Sequence, residues 1–177
     1  LRLAMEELGP TFIKLGQLLS TRPDILPGEY IKEFRKLQDS VPAVSRAEID
    51  RQILHELGFP AAELFAEFSE APLAAASIAQ VHRGRLRSGE EVVFKVRRPG
   101  IVETVETDID VLRGLAYLIE QHVAAVALYN PTGLVKEFRR SILWEMNFTR
   151  EGRTIERFSS NFADSPHVYI PKVFWDY

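Results

Sequence analysis

Hydrophobic and polar positions divide the chain into a helical first third, a β-rich middle and a helical remainder. In "PTFIKLGQLLS", Phe12, Leu15, Leu18 and Leu19 form a broad apolar face at helical spacing, and Pro10 suits the first helical position. "TRPDILP" breaks that helix, and Pro27 opens another through "PGEYIKEFRKLQ". "SRAE" is a capping box of Ser45 and Glu48, which predicts a third helix over "IDRQILHEL", closed by Gly58. Near residue 66 the texture changes to β-branched alternation. "AEFSEAPLAAASIAQVHRGRLRSGEEVVFKVRRPG", with its Ser88-Gly89 turn, predicts three antiparallel strands over about 66–73, 78–87 and 90–98. "PGIVETVETDIDVLRGLAYLIEQHVAAVALY" predicts one long helix. Asn130 and Pro131 cap another that runs through "TGLVKEFRRSILWEMNFTREGRTIERFSSNF". The final "HVYIPKVFWDY" predicts a strand returning to the sheet. This order of elements is that of an α+β fold.

Composition mainly excludes. The 177 residues are 46% hydrophobic and 27% charged, which suits one domain, or one domain with an extension. A net charge of -3 argues against a nucleic-acid partner. With no cysteine there is neither a disulfide nor a thiolate metal site, and His55, His82, His122 and His167 lack ligand spacing. The longest apolar run, Val123 to Tyr129, has seven residues, against the roughly 18 that span a bilayer. No secretory signal is recognisable, so a cytoplasmic location is expected, peripheral to a membrane if it meets one. The start at Leu1 and the strand-like run before Tyr177 predict a piece of a longer protein.

Candidate chemistry centres on "EVVFKVRRPG", which reads as a buried strand with Lys95 in its middle. An ammonium taken out of water is costly unless paired. Strand alternation puts Val92, Phe94 and Val96 on one face and Val93, Lys95 and Arg97 on the other, so Val93 could contact a flat ligand beside the lysine. Protein-kinase folds place a phosphate-gripping lysine on the third strand, with a glutamate partner on the following helix. A lysine at a sheet edge reaching solvent fits the pattern equally well. "AAAS" (Ala74, Ala75, Ala76 and Ser77) stands where a kinase fold has its phosphate loop. Its backbone N–H groups could cradle phosphate, though alanines make positive φ costly. A plain tight hairpin remains the alternative. On one helix Asn147 and Glu151 share a face while Glu145 points away, which would present Glu151 to Lys95; a solvated charged face is the plainer alternative. Lys14 and Gln17 lie on one side of the first helix. Gly16 between them costs roughly 1 kcal/mol against alanine, which close approach of a backbone or ligand, or a kink, would explain.

Together these segments resemble the UbiB/AarF family of atypical protein-kinase-like proteins, from about Leu8 to the last residue. "LGPTFIKLGQLLSTRPDILPGEYIKEFRKLQDSVP" resembles the family's N-terminal extension, with K-x-G-Q at Lys14, Gly16 and Gln17. "PLAAASIAQVHRGRL" is similar to its alanine-rich loop, "VVFKVRRPG" to its nucleotide-lysine strand, and "WEMNFTREGRTIERFSSNFADSP" to its E-x-D helix. The resemblance implies a helical extension over 1–65 and a kinase-like N-lobe over 66–177. It implies that Lys95 contacts the phosphates of ATP or ADP and pairs with Glu151. It also implies that the Ala74–Ser77 loop covers those phosphates and alters nucleotide preference. Lys14, Gly16 and Gln17 would lie on an extension folded over the site where a conventional kinase admits its protein substrate, and Lys14 on such an extension would meet Glu145 or the nucleotide region. The family is tied to ubiquinone or other isoprenoid-lipid metabolism and to ATPase behaviour, so lipid-biosynthesis proteins and a lipid or membrane surface are expected partners.

This chain departs from the family pattern at two points. Asn147 stands where E-x-D has aspartate and carries no charge. After Glu151 the acidic residues are Glu156, Asp164 and Asp176, none in an H-x-D or D-F-G context. No catalytic residue is therefore assigned within this chain, and the ligands of Mg²⁺ are expected in a second lobe. Turnover is expected only of a full-length ATPase. The alternative is a pseudo-enzymatic module that recognises a partner protein or membrane lipid.

Overall fold

The computed structural model describes residues 1–38 and 41–177; Asp39 and Ser40 lie outside the described residues. The helical first third opens with α1 (Arg2–Leu8) and α2 (Pro10–Leu19). They meet at Gly9, whose φ of 101° favours glycine, and Pro10 takes the first position of α2 as expected. After Pro27, α3 (Gly28–Phe34) tightens into a 3-10 turn at Arg35–Gln38. Met5, Ile13, Phe34 and Leu37 form the core of this region, with Phe12, Leu19 and Leu26 packed around them. Both halves of the predicted capping box are present at the start of α4 (Arg46–Leu57), and Gly58 ends it in the left-handed region. A short α5 (Ala61–Leu64) leads into the sheet.

The sheet contains β1 (Phe65–Phe68), β2 (Ala74–Ala75), β3 (Ala79–Leu86) and β4 (Glu91–Arg97). β3 is central, pairing antiparallel with β4 along one edge and with β1 and then β2 along the other. The single strand expected over 66–73 is therefore interrupted. Ser69 N–H donates to Arg83 O at 2.7 Å and Leu73 N–H to Val81 O at 2.7 Å, so the ladder lapses only over residues 70–72. Pro72 has no N–H to contribute there. The alanine-rich segment is corrected as well. Ala74 and Ala75 are strand residues, and only Ala76 to Ile78 turn the chain.

The long helix expected over 99–129 is α6 (Ile101–His122), and extended backbone at Val123 separates it from a short α7 (Ala124–Ala127). Asn130, with φ of 49°, accepts a hydrogen bond from Gly133 N–H at 3.0 Å and opens α8 (Pro131–Glu145). Glu120 on α6 also caps this end, accepting from Thr132 Oγ1 at 2.7 Å. No helix among the described residues is long and apolar enough to cross a membrane.

The chain divides into two compact units, Leu1–Phe138 and Arg139–Tyr177. In the second, the single helix expected to run to Phe162 is broken. It stops at Glu145 and resumes as α9 (Phe148–Asn161), because the Asn147 side chain accepts from Arg150 N–H at 2.9 Å and caps the new helix. The expected returning strand is also absent among the described residues, since 167–177 has no ladder. Trp175 instead docks on α9, donating from Nε1 to Glu156 Oε1 at 2.6 Å and packing against Gly152. Pro171 in that stretch lacks the N–H that a ladder requires.

Candidate functional site

The β3–β4 register places Val81 opposite Lys95 and Arg83 opposite Val93, while β2 sets Ala74 opposite Val81. Directly paired residues share a sheet face, so Ala74, Val81 and Lys95 form one row across three strands. Val93, 63% exposed, lies one step along on the same face. Lys95 is exposed too. The expectation of a lysine sunk in a buried strand is thus corrected. β4 is an edge strand among the described residues, half-buried on its Phe94 face and open on its Lys95 face. The two arginines flanking Lys95 on this face are each held by a glutamate. Arg83 Nη2 lies 3.2 Å from Glu91 Oε2, and Arg97 Nη2 lies 2.5 Å from Glu56 Oε1.

The turn that starts this hairpin is tight. Ala76 N–H donates to Ala79 O at 2.8 Å, and Ser77 and Ile78 are buried. Arg98, just beyond β4, holds the turn from two sides. Its backbone N–H donates to Ile78 O at 3.0 Å and its Nε to Ala76 O at 2.9 Å. Burial lowers the pKa of Arg98 from its ordinary value.

The opposite face is closed and polar. Gln80 is fully buried and His82 is 1% exposed. Gln80 Oε1 accepts from Val44 N–H, and its Nε2 donates to Val44 O at 3.4 Å. His82 Nδ1 lies 3.2 Å from Ser69 O; a carbonyl only accepts, so Nδ1 carries the proton. Nε2 of His82 then accepts from Gln80 Nε2 at 3.2 Å. Every polar group of the pair is satisfied, and the linker before α4 is fastened under the sheet. The sequence alone assigns neither residue a role. The available signal was two polar residues at alternate positions of a strand whose other inward positions, Gly84 and Leu86, are apolar.

In the extension, the K-x-G-Q residues divide their tasks. Gln17 Nε2 donates to Leu37 O at 3.0 Å, and Ser20 Oγ donates to Gln17 O at 2.6 Å. A Cβ on Gly16 would stand 2.3 Å from Leu37 Cδ1 and 2.8 Å from Met5 Sδ. The expected approach of a backbone or ligand to Gly16 is corrected: what approaches is side chains of the core around Leu37 and Met5. Lys14 is half-buried on the same helix.

In the second unit, Glu145 ends α8, Asn147 caps α9 and Glu151 lies in the first turn of α9. Asn147 and Glu151 are therefore cap and first turn rather than two positions along one helix face. Trp144 beside the junction lies under two guanidinium groups, with Arg150 Cζ 3.9 Å and Arg140 Cζ 5.2 Å from its ring centre. Lys14 and Lys95 belong to the first unit, Glu145 and Glu151 to the second, and the pairings between them are taken up as proposals below.

Comparison with known proteins fits this arrangement. The model of the ABC1 atypical kinase-like domain matches residues 36–177. The chain is 42% identical over 177 residues to a probable protein kinase UbiB of Cellvibrio japonicus, covering 100% of this chain and 32% of that protein. It is 44% identical over 178 residues to the corresponding protein of Aeromonas salmonicida, of which it covers 33%. It therefore spans about a third of the length of the curated relatives it matches. Among solved structures, Rv3197 of Mycobacterium tuberculosis, in complex with erythromycin, superposes with a TM-score of 0.63 at 27% identity, over 89% of this chain and 40% of that one. A helical extension and a small antiparallel sheet, with a family match over most of the length, lead to one conclusion: the chain belongs to the ABC1 family of atypical kinase-like domains.

Proposed function

We propose that the chain is the nucleotide-binding portion of a UbiB-like ATPase that serves ubiquinone or other isoprenoid-lipid metabolism. The observation that carries this reading is the row Ala74, Val81 and Lys95, with Val93 beside it, on the open face of a hairpin that begins at the alanine-rich turn. Lys95 supplies the cation for the phosphates of ATP or ADP, Val93 an apolar contact for a flat ring, and Ala74–Ser77 the backbone nearest the phosphates. Glu151 pairs with Lys95, and Lys14 with Glu145, holding the extension over the site. Among the described residues no group of three or more acidic or histidine side chains is placed to hold a metal ion. In this reading the ligands of Mg²⁺ come from elsewhere in the full-length protein. Mg²⁺ would neutralise charge on the transferring phosphate.

The test is thermal stabilisation of the full-length protein by ADP or ATP with Mg²⁺. Lys95→Ala should abolish the shift while leaving the unliganded melting temperature near wild type. An unchanged shift removes Lys95 from the site. Coupling between Lys14→Ala and Glu145→Ala in a double-mutant cycle tests the second pair; additive effects discount it.

A second reading, a pseudo-enzymatic binding module, is favoured by exposed apolar residues at the end of α6 and beyond, including Leu118, Val123 and Leu128. Binding of the partner or of vesicles that ignores both nucleotide and Lys95→Ala would support it over the first.

A further inference from the structure

Arg98 stands at the end of the lysine strand, and its guanidinium reaches two carbonyls in different parts of the chain. Nε donates to Ala76 O at 2.9 Å, in the alanine-rich turn. Nη2 donates to Pro42 O at 2.8 Å, in the linker before α4. Its own backbone N–H meanwhile donates to Ile78 O, so the turn is gripped by main chain and side chain together. Two residues further along the linker, Val44 is fastened by Gln80 from β3. The linker and the turn are thereby joined through one planar fork, in a half-buried setting where a charged donor to a carbonyl is strong.

We infer that Arg98 is a positioning residue for the nucleotide site, fixing the alanine-rich turn against the extension's linker so that the turn presents one geometry to phosphate. The inference rests on the nucleotide reading above. Arg98 touches no nucleotide in this account; it acts through Ala76. An alanine turn has none of the glycine freedom that lets a phosphate loop adapt, so its position must be set from outside.

A comparable clamp at the other end of the same hairpin supplies the control. Arg87, beside the Ser88-Gly89 turn, donates through Nε to Glu63 O and through Nη2 to Ala62 O. Removing either guanidinium deletes two bonds to carbonyls, but only Arg98 holds the turn beside the lysine row.

The experiment measures dissociation constants for ADP and ATP with Mg²⁺ in the full-length protein for wild type, Lys95→Ala, Arg98→Met, Arg98→Lys and Arg87→Met. Arg98→Met should weaken binding about tenfold, and Arg98→Lys, which keeps one donor group, about threefold. Arg87→Met should change it by less than about twofold, whatever it does to the melting temperature. Ala76→Gly should weaken binding in wild type yet add little in the Arg98→Met background, because the turn is already released. If Lys95→Ala removes binding while Arg98→Met and Arg98→Lys both match Arg87→Met, the role of Arg98 falls and the nucleotide site stands. Additive effects of Ala76→Gly and Arg98→Met would also overturn it. If Lys95→Ala binds like wild type, the nucleotide reading falls and the role of Arg98 falls with it. Should Arg98→Met fail to fold, Arg98→Lys and the Ala76→Gly cycle built on it decide the question.

Discussion

The two faces of the β3–β4 hairpin each depart from the usual arrangement of a sheet at particular positions. The closed face holds a glutamine and a histidine, and the open face carries a largely exposed valine beside a lysine. On an ordinary half-buried sheet, polar residues face water and apolar ones face the core. The first departure has a physical account. Gln80 and His82 stay inside because every donor and acceptor they carry is matched, and what they match is the backbone of Val44 and Ser69. Their burial fastens the linker at Val44 under the sheet. Val93 and Lys95 are exposed on theirs, whereas on the other face Phe65 and Phe68 stack on Phe94, with ring centres 4.0 and 5.4 Å away. The closed face is organised for integrity, and the open face carries the residues proposed to bind nucleotide.

Substitutions should separate the two faces by the size and kind of their effects. The largest loss is expected from Gly84→Ala on the closed face. The new Cβ would stand 2.4 Å from Glu67 O and 2.5 Å from the Phe94 ring, so β1 or the aromatic cluster must move. The cost should be about 3 kcal/mol, at the upper end for overpacking, read from chemical denaturation. Gln80→Leu should follow at about 2 kcal/mol, because it leaves both polar groups of Val44 and one ring nitrogen of His82 unmatched. It should also raise hydrogen exchange at Val44, whereas an unchanged exchange rate would show that the linker is held by other means.

Next comes pH. Burial holds the His82 pKa below its ordinary value, assisted by Arg46 and opposed by the bond to Ser69 O and by Asp50. The unfolded chain then binds the proton more readily than the folded one. Stability is complete above the unfolded value of about 6.5 and falls as pH drops from there toward the lowered folded value. Protonation would also set an N–H against the Gln80 amide. Replacing His82 by Gln should flatten this part of the stability profile, and an unchanged slope between pH 7 and 5 would assign it to other groups. The smallest effect on stability belongs to the open face. Val93→Ser should change it by less than about 0.5 kcal/mol, yet weaken nucleotide binding if the valine supports a ring. A large stability loss there would mean that the face is covered, and the contrast between the faces would fail.

Much of the local structure was legible in the chain itself. The Ser45–Glu48 capping box, the Pro10 start, the Gly58 stop and the Ser88-Gly89 hairpin turn all depend on residues within a few positions of each other. The face assignment of Val92, Phe94 and Val96 against Val93, Lys95 and Arg97 follows from strand geometry alone. Local competition misled the reading elsewhere. Asn147 was counted as a helix-face residue, but a side-chain acceptor three residues before an orphan N–H ends one helix and begins the next. The aromatic tail looked like a strand because its alternation was read without asking what would satisfy its backbone.

Sequence by itself determined the Pro10 start, the Ser45–Glu48 cap and the Gly58 stop, which residues of the hairpin share a face, and that a lysine stands in a chemically conspicuous place. Tertiary structure decided that Gly16 answers to Leu37 and Met5, that Gln80 reaches back to Val44, and that Arg98 spans from Ala76 to Pro42. The reason is separation along the chain. Caps and alternation are set by neighbours within one or two turns, whereas these contacts join residues 36 and 56 positions apart in the last two cases. Partners that distant are chosen by packing, and no periodicity in the sequence encodes them.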